Sequence, residues 1–175
     1  MTPTGQVAVS LAATAAAEKD GQANAAATRC YDRGQGNPAH SLTMTNRARD
    51  WLRQAERDLE QARDSRAAQR HEWACFAAQQ AAEKAVKALH LHLGQDAWGH
   101  VIAQLLRELP RAVAPELIDK ARVLDNFYVA TRYANGHPAG APFEHYGPIQ
   151  SEQAIRYAGE IIDFARAEMA GPRSG

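Results

Sequence analysis

Along most of this chain apolar residues recur at spacings of three and four, the period of a helix that buries one face. From Met44 onward, Ala48, Leu52, Ala55, Leu59 and Ala62 form one such stripe, widened by Trp51. Arg57–Glu60 and Glu60–Arg63 stand at i,i+3 on the other face, as mildly supportive surface pairs. A second stripe of Cys75, Ala78, Ala82, Val86, Leu89 and Leu93 predicts a helix over 72–93, closed by Gly94. Its many alanines let neighbours approach on more than one side, which suits a central helix. Gln80, Glu83, Lys84 and Lys87 form a separate polar stripe on it, read as ion pairing that registers helices rather than as a site.

Val101, Ile102, Leu105, Leu106 and Leu109 define a shorter helix that stops at Pro110. A fourth helix begins near Pro115 and carries Leu117, Ala121, Leu124 and Tyr128. It is expected to end at Asn135-Gly136, a pair suited to left-handed backbone at a helix terminus. The loop "HPAGAPFEHYGP" leads to a last helix with Ala154, Ala158, Ile161, Ala165 and Met169 on one face. Neither a period-two strand pattern nor an internal repeat is present. The fold class is therefore all-α, an antiparallel up-and-down bundle of four long helices plus one short helix.

Residues 1–43 differ in kind, being rich in Ala, Thr, Gly, Gln and Asn and poor in large apolar side chains. Such a segment buries too little surface to offset its ordering entropy, so a disordered tail is expected there, with Met44 as the natural start. The bundle then spans 44–170, and 171–175 forms a second disordered tail.

Charge narrows the function classes. Lys plus Arg and Asp plus Glu balance at 20 each, with pI ≈ 7.1. A surface that is one broad nucleic-acid or membrane field is thereby excluded, whereas a small local cationic site is not. No apolar run approaches the roughly 18 residues needed to span a bilayer. Cys30 and Cys75 match no metal or redox spacing, and reduced cysteines in a cytoplasmic protein are expected.

Several chemistries lack their signatures. No glutamate has a histidine three positions later, and no histidine pair stands at i,i+4, so neither a metal site nor any other cofactor is expected. There is no G-x-S-x-G elbow, and Cys75 sits on a core stripe. Gly34 and Gly36 fall in the tail with no strand before them. His90 and His92 read as a solvated helix end.

The segment "TRYANGHPAG" remains, with Arg132 and His137 near a helix terminus. One reading is capping, since basic residues at a helix C-terminus complement its dipole. The other is a metal-free phosphate-handling pair. Guanidinium grips a phosphate through parallel hydrogen bonds, and imidazole moves protons near neutral pH. RNA cleavage needs two proton transfers, so one copy is thin and a dimer would supply both. Asp125, Tyr128, Val129 and Arg132 share one helical stripe. On that geometry Asp125 is expected to orient Arg132, and Tyr133 to stack on a base or contact phosphate. Tyr128 and Asn135 complete the supporting RNA or nucleotide contacts.

At these residues the chain resembles the HEPN family, from Thr45 to Met169. "ACFAAQQAAEKAVKALHLHLG", "GHVIAQLLRELP", "LDNFYVATRYANGHPAGAP" and "AIRYAGEIIDFA" carry the resemblance in order and spacing. It implies a helical bundle, usually a homodimer, with an R-x(4–6)-H motif used in metal-independent ribonuclease activity; here the motif is Arg132 and His137. It further implies a toxin–antitoxin pairing with a minimal nucleotidyltransferase as antitoxin. In some such pairs a tyrosine two residues after the motif histidine is nucleotidylated; here that position is Ala139, which departs from the pattern. Other members are non-catalytic bundles that bind a nucleotidyltransferase partner or a nucleotide, and that is the alternative function.

Overall fold

The computed structural model describes residues 39–171, with side chains from Arg47 on. The expectations for the tail before residue 39 and for 172–175 lie outside the described residues. Six α-helices follow in order: α1 (Ala39–Ala67), α2 (His71–His92), α3 (Ile102–Arg107), α4 (Pro115–Asp125), α5 (Phe127–Ala130) and α6 (Pro148–Ala170). Two 3-10 turns, Ala134–Gly136 and Pro142–Glu144, sit between α5 and α6. No strand occurs among the described residues, and the bundle is all-α. None of the described helices is long and apolar enough to cross a membrane.

The stripes read from the sequence are the buried ones. Ala48, Ala55, Leu59 and Ala62 of α1 face Cys75, Ala78, Ala82, Val86 and Leu89 of α2 in one core, closed by Ala154, Ala158, Ile161 and Ala165 of α6. On α2, Ala74, Ala81, Ala85 and Ala88 are buried as well, so this helix is covered on several sides. Methyl-sized side chains let axes approach to the short end of the usual 8–10 Å range, which places α2 at the centre. Outer clamps add register: Arg166 on α6 binds Glu56 on α1 at 2.8 Å, and Arg66 on α1 binds Glu152 on α6 at 2.9 Å. Gly94 ends α2 with φ +75, a left-handed conformation that glycine adopts without a Cβ penalty.

Four details differ from the sequence reading. Helix α1 begins at Ala39, ahead of Met44. The fourth arm of the bundle is α4 plus α5, with a hitch at Asn126, whose backbone stays helical at φ −65 and ψ −18. That arm stops at Ala130, short of Asn135-Gly136, because Thr131 Oγ1 turns back to bond the Phe127 carbonyl at 2.6 Å and Tyr133 is extended. Asn135-Gly136 then forms a 3-10 turn without left-handed backbone.

The fourth difference is His90, which is buried rather than solvated. Its Nε2 donates to the Leu105 carbonyl at 2.9 Å, and Nδ1 meets Gln95 Oε1 at 3.1 Å, tying α2 to α3. The next turn of that seam is also polar. Glu83 is buried and accepts from Gln79 at 3.2 Å, Lys87 at 2.9 Å and His100 Nδ1 at 3.1 Å. Lys84 pairs with Asp58 across to α1. Of the polar stripe of α2, Lys84 makes the interhelical pairing, while Glu83 with Lys87 and Gln80 with Glu83 bond within α2 itself.

Candidate functional site

A four-residue helix such as α5 leaves all of its last carbonyls without intrahelical partners. Here each finds one. Thr131 Oγ1 takes Phe127 O, and Arg132 gives Nε (3.0 Å) and Nη2 (2.6 Å) to Tyr128 O. Val129 O accepts the backbone N–H groups of Arg132 and Tyr133, and His137 Nε2 meets Ala130 O at 2.8 Å. Both motif residues are therefore anchored on one helix end.

Arg132 is half-buried among aromatic faces. Its guanidinium carbon lies 4.4 Å from the Phe76 ring centre, 5.0 Å from Tyr128 and 5.1 Å from Tyr133. Stacking of this kind suits guanidinium, which is planar and weakly hydrated. No carboxylate lies within ion-pair distance of it among the described residues. Nη1 has no hydrogen-bond partner there, so the fork is held in place while donors remain for an incoming anion.

His137 is half-buried too, its tautomer set by its contact. A carbonyl oxygen only accepts, so Nε2 carries the proton, and Nδ1 holds the lone pair in the neutral ring. The edge of His137 meets Tyr146 at 5.8 Å, and Tyr146 in turn meets Phe127 at 5.9 Å. Burial pushes the Tyr146 phenol above its ordinary value, which keeps it a neutral wedge. Gly136 lies so close to α5 that a Cβ there would come 2.9 Å from Ala130 Cα.

The remaining site residues fall as follows. Tyr128 stacks on His100 with centroids 4.7 Å apart and planes at 13°, which links Arg132 through Tyr128 and His100 to buried Glu83. Tyr133 is exposed beside Arg132. Asn135 is exposed in the 3-10 turn, with no side-chain bond among the described residues.

Asp125 does not orient Arg132. Its carboxylate accepts the N–H of Ile102 at 2.7 Å and of Ala103 at 3.1 Å, capping α3, because it lies at the end of α4 facing that helix. Burial, opposed by those two bonds and helped by the Glu83 charge, raises its carboxyl above the ordinary value. The sequence reading missed Phe76, His100 and His145; only His145 carried a local signal, in "FEHYGP" close after the motif.

Other chemistry finds little support. Burial, with a smaller push from Glu72, raises the Cys75 thiol to about 12, so it stays protonated and unreactive. Among the described residues no group of three His, Cys, Asp or Glu side chains converges to hold a metal ion. A groove of ≈ 650 Å³ between α1 and α2 includes Trp73, Phe76, Arg70 and Lys84, and so shares Phe76 with Arg132.

Fold and site together define a small all-α bundle with an Arg-x4-His pair closing one helix end. The family model for the HEPN domain matches residues 48–168. The crystal structure of TT1696 from Thermus thermophilus is 48% identical with a TM-score of 0.69, covering 70% of this chain and 98% of that one. ST0689, an archaeal HEPN homologue, is 36% identical with a TM-score of 0.62, covering 70% of this chain and 97% of that one. A HEPN domain protein of Thermotoga maritima, tm0613, is 37% identical with a TM-score of 0.56, covering 67% and 95%. A comparison with curated proteins gives no match. The chain belongs to the HEPN domain family.

Proposed function

We propose that this protein is a metal-independent endoribonuclease that works as a homodimer, the toxin half of a two-gene module whose antitoxin is a minimal nucleotidyltransferase. The observation that carries this reading is the Arg132 guanidinium: half-buried, clamped by three rings and, among the described residues, without a carboxylate and with Nη1 unbonded. An arginine held this way is preorganised for phosphate oxygens, since its side-chain entropy is already spent and its countercharge is missing.

His137 supplies the proton chemistry. With Nε2–H on Ala130 O, Nδ1 is the atom that takes the 2′-hydroxyl proton as that oxygen attacks phosphorus. Arg132 stabilises the charge that grows on the non-bridging oxygens. Tyr133, exposed beside the guanidinium, offers a stacking face for a base, as single-stranded RNA sites commonly do.

RNA digestion by the purified protein in EDTA tests the reading. Arg132→Ala should lower the rate by roughly 10²–10³, and His137→Ala by roughly 10²–10⁴. Wild-type protein that leaves RNA intact as both variants do would sink it.

The alternative, a non-catalytic bundle that binds a nucleotidyltransferase or a nucleotide, has its own observation. Both motif side chains bond helix carbonyls, which is what capping alone requires. Under this reading the two variants lose stability, and neither changes any RNA.

A further inference from the structure

The groove between α1 and α2 is left unused by the chemistry above, although it shares the Phe76 ring with Arg132. The Arg132 guanidinium lies over that ring at 4.4 Å. Trp73, one helical turn earlier on α2, meets the same ring edge-on, with centroids 6.1 Å apart and planes at 76°. Trp73 is 48% exposed, so much of its indole is open to solvent in a groove of ≈ 650 Å³. That volume lies within the usual span of small-ligand sites, about 300–1,000 Å³. Ala68 and Ala77 line it too, and their methyl-sized side chains leave it unfilled.

The polar groups decide what fits. Asp58 and Lys84, one from each helix, pair with each other. Asp64 and Arg70 have no side-chain partner among the described residues. The turn between the helices brings these two together. Gln69 takes φ +61, so Arg70 N–H donates back to Ser65 O and Gln69 N–H to Arg66 O, both at 2.9 Å. This pairing closes the end of α1 and returns Arg70 to its last turn, beside Asp64. Two carboxylates and two cations give the groove no net charge, so it does not gather a phosphate chain. It suits an uncharged planar ring with donors and acceptors along its edge. Among the RNA bases guanine offers this most fully. Its N1–H and N2–H₂ are adjacent donors for one carboxylate, and its O6 and N7 accept from a guanidinium.

We propose that the groove is a guanine-binding subsite, holding the base next to the phosphate that Arg132 grips; this rests on the ribonuclease reading above. Trp73 stacks on the base, Asp64 accepts from N1–H and N2–H₂, and Arg70 donates to O6 and N7. Phe76 is the shared wall, with the base against its groove side and the phosphate at the guanidinium that covers it. No bond forms or breaks in the groove. Its role is selection, deciding which linkage of a single strand reaches Arg132 and His137.

The test uses the full chain in EDTA with short RNA oligonucleotides that differ at one base, the cut linkages being mapped. Directly beside the cut linkage, guanine should raise kcat/KM roughly 5- to 150-fold over adenine. Hypoxanthine, which keeps N1–H and lacks the N2 amino group, should fall between them. Asp64→Asn leaves one acceptor where two are needed and should bring the guanine-to-adenine ratio close to one. Trp73→Ala should act on KM rather than kcat, raising it roughly 5- to 150-fold on the guanine substrate. Ala77→Leu fills the groove, removes no polar group, and should also erase the ratio. Wild type that cleaves RNA without preferring guanine overturns the groove assignment, and so does a preference that survives in Asp64→Asn or in Ala77→Leu; in both cases the ribonuclease reading stands. Inhibition by free guanosine monophosphate without any preference within the strand makes the groove a free-nucleotide site and overturns the assignment as well. If wild type cleaves no RNA, the ribonuclease reading fails and the subsite with it.

Discussion

The carbonyl of Tyr128 accepts two hydrogen bonds from the Arg132 guanidinium, while the Tyr128 ring lies 5.0 Å from its carbon. One residue thus fixes both the edge and the face of the other. Lysine offers a single compact charge and cannot satisfy both. Arg132→Lys should keep less than about a tenth of RNA cleavage and lose about 0.5–1.5 kcal/mol of stability. Cleavage rates and denaturant midpoints, measured together, check it; full activity in the lysine variant would contradict the role of the fork.

Gly136 controls how close the motif turn lies to α5. A Cβ there would meet backbone, with Ala130 Cα at 2.9 Å, so the turn must move away. Gly136→Ala should cost about 1–3 kcal/mol, the usual range for overpacking. It should also slow RNA cleavage, because His137 follows directly and bonds Ala130 O. Unchanged stability and rate would show that the turn can slide freely.

Asp125 gives a pH signature. A carboxyl raised by burial binds its proton more tightly in the folded chain than in the unfolded one. Its contribution is therefore fullest below the ordinary value of 3.8, and stability declines as pH rises from there through the folded value, then levels off. Asp125→Asn cannot ionise and should flatten that decline, keeping one acceptor for the Ile102 N–H. Asp125→Ala strands the N–H groups of Ile102 and Ala103 and should cost about 1–3 kcal/mol. Urea unfolding across the mildly acidic range separates these curves; parallel wild-type and Asn profiles would refute the account.

Cys75 should resist labelling. With no exposure and a thiol value of about 12, it offers almost no thiolate in the folded chain. A thiol reagent at neutral pH should modify Cys75 only as fast as the bundle opens, and rapidly in denaturant. Fast labelling of the native chain at Cys75, located by peptide mapping, would contradict this.

How much of the molecule can be read in advance depends on the range of the cause. Stripes such as Ala78–Ala82–Val86–Leu89 need only helical periodicity, and they are buried as spaced. The pairing of Glu83 with Lys87 is also local, one turn apart. The end of the fourth arm was misplaced because Thr131 bends its hydroxyl back to Phe127 O, a competition that residue spacing does not reveal. Asp125 shares a helical stripe with Arg132, yet it turns to α3, whose N–H groups are neighbours only in the folded chain. His90 looks polar and terminal in one dimension, and only the packing of α3 over it shows why it is buried. His145 stacks on His137 through a loop path set by Gly140 and Glu144, so the motif was legible and the ring beside it was not.

Among the described residues, alanine makes up more than half of the buried hydrophobic positions. A methyl group removes little surface from water compared with a leucine side chain, so unfolding this bundle exposes comparatively little hydrocarbon. The heat-capacity increment of unfolding should then lie at or below the low end of about 12–15 cal/mol/K per residue. A smaller increment flattens the dependence of stability on temperature, broadening the range over which the bundle stays folded and moving cold unfolding to lower temperature.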